Sequence, residues 1–210
     1  MGAPSRLSTA AIPLVLAATL AGLPASAQDT RKDATEATKA ANAALLEALP
    51  FSDRSDFEHA RHGLIAPLPA GVISGQAGNL IRDPQKYGFI AEGAAAPDTV
   101  NPSLWRQSQL INLSGLFEVT DGIYQVRNLD LSNMTIIEGA EGVTVVDPLI
   151  SAETAKVGMD LYYQHRGQKP VKAVIYTHSH VDHDGGVRGV VDEADVAAGW
   201  ARSSTSEAKR

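Results

Sequence analysis

The sequence predicts an α/β fold in which a helix covers a β-sheet, and three observations support this expectation. Short runs of β-branched and aromatic residues, separated by turn residues, fill positions 116–150 and predict strands. Positions 151–167 carry the start and stop signals of a helix. After Pro170, the continuous apolar run "VKAVIY" is typical of a strand that is buried in a sheet.

Composition narrows the possible functions. The chain has 210 residues, of which 44% are hydrophobic and 20% charged, the balance of an ordinary globular protein. Its net charge of −6 provides no basic surface that would attract nucleic acid. Cysteine is absent, which excludes thiolate metal sites, disulfides and cysteine nucleophiles. Any metal must therefore be held by nitrogen and oxygen atoms.

Residues 1–27 predict a secretory signal peptide. Arg6 precedes the uncharged run "AAIPLVLAATLAGLP", and "ASA" at positions 25–27 predicts cleavage after Ala27. A membrane anchor is the alternative, but the run is shorter than the roughly 20 apolar residues of a spanning helix, and Pro13 interrupts it. We therefore expect a periplasmic or secreted protein with no stable insertion in a membrane.

Residues 28–115 predict one helix followed by an extended region rich in glycine and proline. Positions 29–49 contain mostly helix-forming residues and end before Pro50. The repeated glycines and prolines beyond it indicate few regular elements before position 116. His59 and His62 lie three residues apart here and are an alternative metal-binding pair. A surface helix is the simpler interpretation, because no carboxylate is patterned around them.

Residues 116–200 predict the domain that carries the chemistry. "LFEVTDGIYQVR" predicts a hairpin with its turn at "DG", and "NMTIIEG" and "GVTVVDPLI" predict two further strands. Ser151 and Gly167 have the residue types that begin and end the helix that follows. The face of this helix that covers the sheet is expected to carry Ala155, Met159 and Tyr162.

The strand "VKAVIY" leads into H-x-H-x-D-H, where three of the six histidines fall within six residues. If the backbone stays extended through residue 180, alternate side chains point the same way, so that His178 and His180 bind one ion. A bend made possible by the glycines at positions 185 and 186 then turns Asp182 and His183 towards a second ion.

Imidazole and carboxylate ligands suit zinc and other borderline divalent ions. Two such ions close together would lower the pKa of a water between them towards ~7 and so generate a hydroxide nucleophile. A histidine-rich loop without a metal is the weaker interpretation, because its protonated side chains would repel one another at mildly acidic pH.

The H-x-H-x-D-H loop after a buried strand resembles the signature of the metallo-β-lactamase superfamily, whose fold is an αββα sandwich. "GVTVVDPLI" resembles an earlier motif of that fold, whose aspartate, here Asp147, braces the metal loop. A narrower resemblance covers about residues 57–191. "APDTVNPSLWRQSQL", "GLFEVTDGIYQVRNLDLSNMTIIEG", "VVDPLISAETA" and "PVKAVIYTHSHVDHDGGVRGVV" are similar to the linear alkylsulfatases, a family of secreted or periplasmic hydrolases of dodecyl sulfate.

This resemblance implies a zinc-dependent hydrolase that releases inorganic sulfate from linear alkyl sulfate esters. For full-length members of the family, the resemblance implies two Zn²⁺ ions per active site and a homodimer. Carried over residue by residue, His178 and His180 would bind the first zinc, and Asp182 and His183 the second. Asp182 would also be the catalytic residue that accepts a hydrogen bond, or a proton, from the attacking water. The alternatives are another hydrolase of the superfamily, such as a lactonase or β-lactamase, or a non-catalytic metal-binding fragment.

The sequence supplies only the N-terminal half of such a sandwich. Residues 201–210 predict a polar tail, and each ion would have two ligands, which leaves the zinc shells incomplete. The strand "VKAVIY" would also keep an uncovered face or edge. We therefore expect a shortened alkylsulfatase that is weakly active or inactive. Asp184, Glu193 and Asp195 are expected to face solvent.

Overall fold

A seven-stranded mixed sheet lies at the centre of the structure. The computed structural model describes residues 32–199 and 201–205. The helices are α1 (Glu36–Ala48), α2 (Ser55–Arg61), α3 (Pro102–Ile111), α4 (Ala152–Arg166), α5 (Val181–Asp184) and α6 (Glu193–Ala197). The strands are β1 (Leu64–Ala66), β2 (Ile73–Ser74), β3 (Leu80–Arg82), β4 (Gly115–Thr120), β5 (Ile123–Arg127), β6 (Met134–Glu138), β7 (Val143–Val146), β8 (Val171–Tyr176) and β9 (Arg202–Thr205). The described residues also form 3₁₀ turns at Pro84–Tyr87 and Val187–Gly189.

The strand order brings the carboxyl ends of parallel strands to one edge of the sheet. The order is β1-β4-β5-β6-β7-β8-β9, and β2 and β3 form a separate two-stranded sheet. Neighbours from β1 to β7 are antiparallel, whereas β8 runs parallel to both β7 and β9. Parallel strands cannot be joined by a tight turn, and α4 makes the crossover from β7 to β8. Asp147 and the histidine-rich loop therefore begin side by side.

The predicted hairpin, strands and α4 are confirmed. Along β5, Tyr124 and Val126 are fully buried while the alternate residues are partly exposed, as expected for a sheet covered on one face. Ser151 caps the start of α4, where its hydroxyl accepts from the Thr154 N–H at 3.1 Å, and Gly167 caps its end with a φ of 80° that favours glycine. The predicted sheet-facing residues are buried as expected: Ala155, Met159 and Tyr162.

Burial along β8 differs from the prediction of a continuously buried strand. Val174 is fully buried, but the other residues of β8 are partly or fully exposed. The side chains of a strand alternate between two faces, and Val174 lies beside Val145 of β7, which belongs to the same core cluster as Met159 and Tyr162 of α4. The apolar run "VKAVIY" predicted the strand correctly but not its burial.

The region before β4 contains more regular structure than the sequence predicts. Helix α1 lies within the range predicted for the first helix, 29–49. Positions 29–31 of that range and the predicted signal peptide at 1–27 lie outside the described residues. The supposedly irregular stretch forms α2, three short strands and α3, and β1 pairs with β4. The glycines and prolines separate short elements whose partners are distant in sequence. None of the described helices is both long and apolar enough to cross a membrane.

Helix α3 anchors the long segment that precedes it. Its start is set by Asn101, whose side chain accepts from the Ser103 N–H at 2.9 Å. The Trp105 indole donates to the Ala94 carbonyl at 2.7 Å. Gln109, which is buried, donates from its side-chain amide to the same carbonyl at 3.0 Å. The bonds from Trp105 and Gln109 satisfy one backbone acceptor, the Ala94 carbonyl, which lies outside the strands and helices.

The edge of β8 is covered by part of the predicted polar tail. Residues Arg202–Thr205 form β9, which pairs with β8 in parallel from Ala173 to Tyr176. Part of the predicted polar tail therefore forms a strand, and the expectation of an uncovered edge on β8 is wrong, although one face of β8 stays partly exposed. The reason is that a strand needs only backbone partners to pair, and a polar sequence keeps its N–H and C=O groups. Residues 206–210 lie outside the described part of the chain.

Gly186 packs the end of the histidine-rich loop directly against the backbone around α4. Its φ of −85° is accessible to every residue, so the reason for glycine is space rather than conformational freedom. A Cβ at this position would lie 2.0 Å from the Pro148 carbonyl oxygen and 2.9 Å from the Ala155 Cβ. The sequence predicted that this glycine lets the loop bend, and the structure shows close packing instead.

A second anchor joins β6 to the end of α4. The Tyr162 hydroxyl donates to Glu138 at 2.6 Å, and Lys169 pairs with the same carboxylate at 2.7 Å. Arg166 approaches it at 3.4 Å. Burial opposes ionisation of Glu138, but the hydrogen bonds from Lys169, Tyr162 and Arg166 outweigh it and lower its pKa to about 2.

We predict that Glu138→Gln lowers the free energy of unfolding at pH 7 by about 2 kcal/mol, because the bonds to a charged acceptor are lost. A folded-state pKa below the unfolded value gives stability above the unfolded pKa that disappears as pH falls through the folded one. The difference between wild type and variant should therefore shrink from about pH 4.5 to about pH 2. Urea denaturation across this range measures it. Glu141→Gln is the control, because Glu141 is exposed, and a difference that does not change with pH would contradict the assignment.

We also predict that Gly186→Ala destabilises the protein by about 2 to 3 kcal/mol, because the added methyl group overlaps backbone atoms that cannot move away cheaply. Denaturant unfolding provides the measurement. Gly139→Ala is the matched control, since a Cβ there would meet its nearest atom, the Gly142 carbonyl oxygen, at an ordinary 3.4 Å. Equal effects of the two substitutions would show that close packing is not what Gly186 provides.

Candidate metal centre

Asp147 ties the carboxyl ends of β7 and β8 together. It follows β7 directly, and its N–H donates to the Ile175 carbonyl at 3.0 Å, which continues the pairing of the two strands. Its side chain accepts two bonds from Thr177, one from the N–H to Oδ1 and one from the hydroxyl to Oδ2, both at 2.8 Å. The brace that the resemblance implied for Asp147 is therefore present in the structure.

The backbone at Asp147 is unusual, with φ at 54° in the left-handed region. Aspartate tolerates this region better than most residues, yet the conformation still costs roughly 1 kcal/mol relative to an ordinary one. The side chain is largely buried, with 7% of its residue surface exposed. The bonds to Thr177 offset the cost and the burial, and they aim the carboxylate at the loop that follows β8.

The loop after β8 bends earlier than the sequence predicts. Strand β8 ends at Tyr176, the next three residues bend, and His180 immediately precedes the short helix α5. The prediction that the backbone stays extended through residue 180 is therefore wrong. The His183 N–H donates to the His180 carbonyl at 2.9 Å, which closes the first turn of α5. The reason for the early bend is that Asp147 captures both the N–H and the hydroxyl of Thr177.

The four predicted ligands nevertheless come together. The ring centroid of His178 lies 4.7 Å from that of His180 and 4.1 Å from that of His183. The Nε2 atom of His183 lies 3.3 Å from a carboxylate oxygen of Asp182. Three imidazoles and one carboxylate thus meet at the end of β8, as the spacing of the motif indicated.

His183 also contacts the brace. Its Nδ1 lies 2.9 Å from Oδ2 of Asp147, although the direction of the N–H is not that of a hydrogen bond. This nitrogen is buried, and a buried polar atom without a hydrogen bond is costly unless another group satisfies it. The Asp147 carboxylate is the polar group that lies beside this nitrogen.

The donor types fit a divalent ion, but the described residues do not form a finished coordination shell. Neutral imidazole nitrogens and a carboxylate oxygen are the ligands that zinc and similar ions prefer. Within residues 32–199 and 201–205, no three His, Asp or Glu side chains are arranged so that they could hold one ion together. The site is therefore a cluster of suitable donors on a rigid support.

A second loop supports the cluster from outside and was not identified from the sequence. In the connection between β5 and β6, the Ser132 hydroxyl donates to the backbone carbonyl of Asp182 at 2.5 Å. In the same loop, Asp130 accepts from the Thr154 hydroxyl at 2.5 Å and from the Ile150 N–H at 3.3 Å. The polar turn "NLDLSN" between two apolar strands was the available signal, but nothing in it indicates which loop it meets.

The other histidines and carboxylates that the sequence offered lie outside the donor cluster. His59 and His62 are exposed at the end of α2, which favours the surface-helix interpretation. Glu193 is exposed at the start of α6 and pairs with Arg188 at 3.3 Å, as expected for a surface carboxylate. Asp184 and Asp195 are partly buried within the described structure, which differs from the expectation that they face solvent.

The fold and the loop match proteins of known family. The family model described as metallo-beta-lactamase superfamily matches residues 127–209. The solved structure of the stereoselective inverting sec-alkylsulfatase Pisa1 from Pseudomonas sp. superposes with a TM-score of 0.76 at 53% sequence identity. That match covers 82% of this chain and 27% of the other. The predicted α/β fold class is therefore confirmed.

Two curated relatives extend the match to sequence. A linear primary-alkylsulfatase of Pseudomonas sp. is 73% identical over 173 residues, which cover 82% of this chain and 26% of the relative. An (R)-specific secondary-alkylsulfatase of Pseudomonas sp. is 52% identical over 192 residues, which cover 91% of this chain and 27% of the relative. The chain thus spans about a quarter of the length of these relatives. On this identity and fold, the chain belongs to the alkylsulfatase family of the metallo-β-lactamase superfamily.

Proposed function

We propose that this chain carries part of the active site of a zinc-dependent hydrolase that releases inorganic sulfate from linear alkyl sulfate esters. One observation carries the proposal. The donor cluster of His178, His180, Asp182 and His183 is braced by Asp147 in a chain 73% identical to a linear primary-alkylsulfatase. The relatives supply the substrate class, and the donor cluster supplies the chemistry.

In this proposal, His178 and His180 hold one zinc ion, and Asp182 and His183 hold a second. Bound zinc would supply a hydroxide nucleophile at neutral pH and would offset negative charge on the sulfate group. Asp182 would orient the attacking water by accepting its hydrogen bond, and would take up its proton. Asp147 and Ser132 would keep the loop in place during these events.

The surface beside the cluster suits the alkyl part of such a substrate. Three large apolar side chains are exposed around the loop, Leu131 by 78%, Val181 by 61% and Ile150 by 39%. The residues on either side of Leu131 hold it next to the histidine-rich loop, because Asp130 accepts from the Ile150 N–H and Ser132 donates to the Asp182 carbonyl. Val181 is the first residue of α5. We call these three residues the apolar rim and propose that the alkyl chain lies against it.

The cellular location and the oligomeric state are also part of the proposal. The signal-like segment at residues 1–27 supports action in the periplasm or outside the cell. A homodimer is the proposed assembly of the full-length family members. The alternatives are a lactonase or β-lactamase activity and a non-catalytic zinc-binding role.

We predict that the chain binds zinc and that the double substitution His178→Ala, His180→Ala abolishes binding at the first position. Equilibrium dialysis with zinc measures the stoichiometry, and His59→Ala, His62→Ala is the matched control because these histidines are exposed on α2. Fewer than one zinc per wild-type chain would count against the proposal.

A substrate panel separates the candidate activities. Dodecyl sulfate, nitrocefin and a lactone are tested in parallel, with release of sulfate measured for the first. Turnover of nitrocefin or of the lactone in place of dodecyl sulfate would support the alternatives.

We predict that Leu131→Ser weakens the binding of decyl sulfonate, which cannot be hydrolysed, several-fold more than that of hexyl sulfonate. Each methylene group buried against apolar surface contributes about 0.8 kcal/mol, so the longer chain loses more. Isothermal titration below the micellar concentration measures both affinities. Leu104→Ser is the control, since Leu104 is 65% exposed on α3. Equal losses for the two ligands, or equal losses in the control, would remove the apolar rim from the proposal.

A further inference from the structure

The Thr177 hydroxyl stands between the brace and the first histidine of the loop. Its oxygen lies 2.8 Å from Oδ2 of Asp147 and 2.9 Å from Nδ1 of His178. Both distances are those of ordinary hydrogen bonds. A chain of three side chains therefore runs from a largely buried carboxylate, through a hydroxyl, to an imidazole of the donor cluster.

The direction of this chain is fixed by the number of hydrogen atoms available. A hydroxyl has one hydrogen to donate, and an ionised carboxylate can only accept. The hydrogen of Thr177 is therefore used towards Asp147, and towards His178 the hydroxyl oxygen can act only as an acceptor. The Nδ1 atom of His178 must then carry a hydrogen to make the bond observed at 2.9 Å.

We infer that Thr177 is a positioning residue that selects the tautomer of His178, with the hydrogen on Nδ1 and the free lone pair on Nε2. The inference rests on the proposed function only for the identity of the group that Nε2 meets, which would be the first zinc ion. A metal binds the neutral nitrogen that has a free lone pair, so the tautomer decides which atom of His178 is the ligand.

The same residue holds the loop by a bond that does not depend on its side chain. The Thr177 N–H donates to Oδ1 of Asp147 at 2.8 Å, and any residue at this position keeps that N–H except proline. Thr177→Val therefore removes the hydroxyl but leaves the backbone anchor and the side-chain volume. Thr177→Ser keeps the hydroxyl and should keep the tautomer.

The test is the tautomer itself, read from ¹⁵N chemical shifts and long-range ¹H–¹⁵N correlations of the labelled, metal-free chain. At about pH 8 an ordinary imidazole is neutral, so that each ring shows one protonated nitrogen. We expect His178 in wild type and in Thr177→Ser to be protonated on Nδ1. In Thr177→Val we expect a shift towards the Nε2-protonated form that free histidine prefers. Thr144→Val, on β7, is the matched control and should leave His178 unchanged.

Zinc titration of the same variants gives a second readout. We expect Thr177→Val to weaken zinc binding by roughly 10-fold or more, the usual effect of removing a group that orients a metal ligand, and Thr177→Ser to restore it. Protonation of His178 on Nε2 in wild type, or an unchanged tautomer in Thr177→Val, would overturn the inference. The Nδ1 tautomer in a wild type that binds no zinc would leave the inference standing and overturn the proposed function instead.

Discussion

The structure around the candidate site depends on one constraint, the capture of Thr177 by the carboxylate of Asp147. Two parallel strands end at the same edge of the sheet, and the loops that leave them would diverge without a connection. Two hydrogen bonds of 2.8 Å join the loops, and Nδ1 of His183 lies 2.9 Å from the same carboxylate. A single acidic side chain therefore binds the start of the histidine-rich loop and lies against His183 at its end.

The rest of the described chain keeps this junction rigid. Gly186 lets the far end of the loop lie against the backbone around Pro148, and Ser132 holds the backbone of Asp182 from the neighbouring loop. At the opposite end of α4, the ion pairs of Glu138 fix the helix to β6. A binding site needs such support, since ligands displaced by a fraction of an ångström lose much of their effect.

The residues of the N-terminal segment that suggested the family have packing roles. The stretch "NPSLWRQ", which suggested the alkylsulfatases, forms the first turns of α3, where Trp105 binds the Ala94 carbonyl and Arg106 binds Asp56 at 2.7 Å. The Arg106 hydrogen bond holds the pKa of the Asp56 carboxyl below its usual value. A family-specific sequence can therefore identify a relationship through residues whose role is packing.

The sequence by itself determined the hairpin, the succession of strands along the chain, the ends of α4 and the set of polar side chains that gather after β8. Each of these follows from local patterns, namely alternation, capping residues and the spacing of histidines. Tertiary structure decided the early bend at Thr177, the pairing of β9 with β8 and the close approach at Gly186. Each of these involves a partner far away in the chain, such as Asp147, β8 or Pro148. Local sequence does not determine which distant residue a group will contact, because the assembly of the sheet sets these long-range contacts.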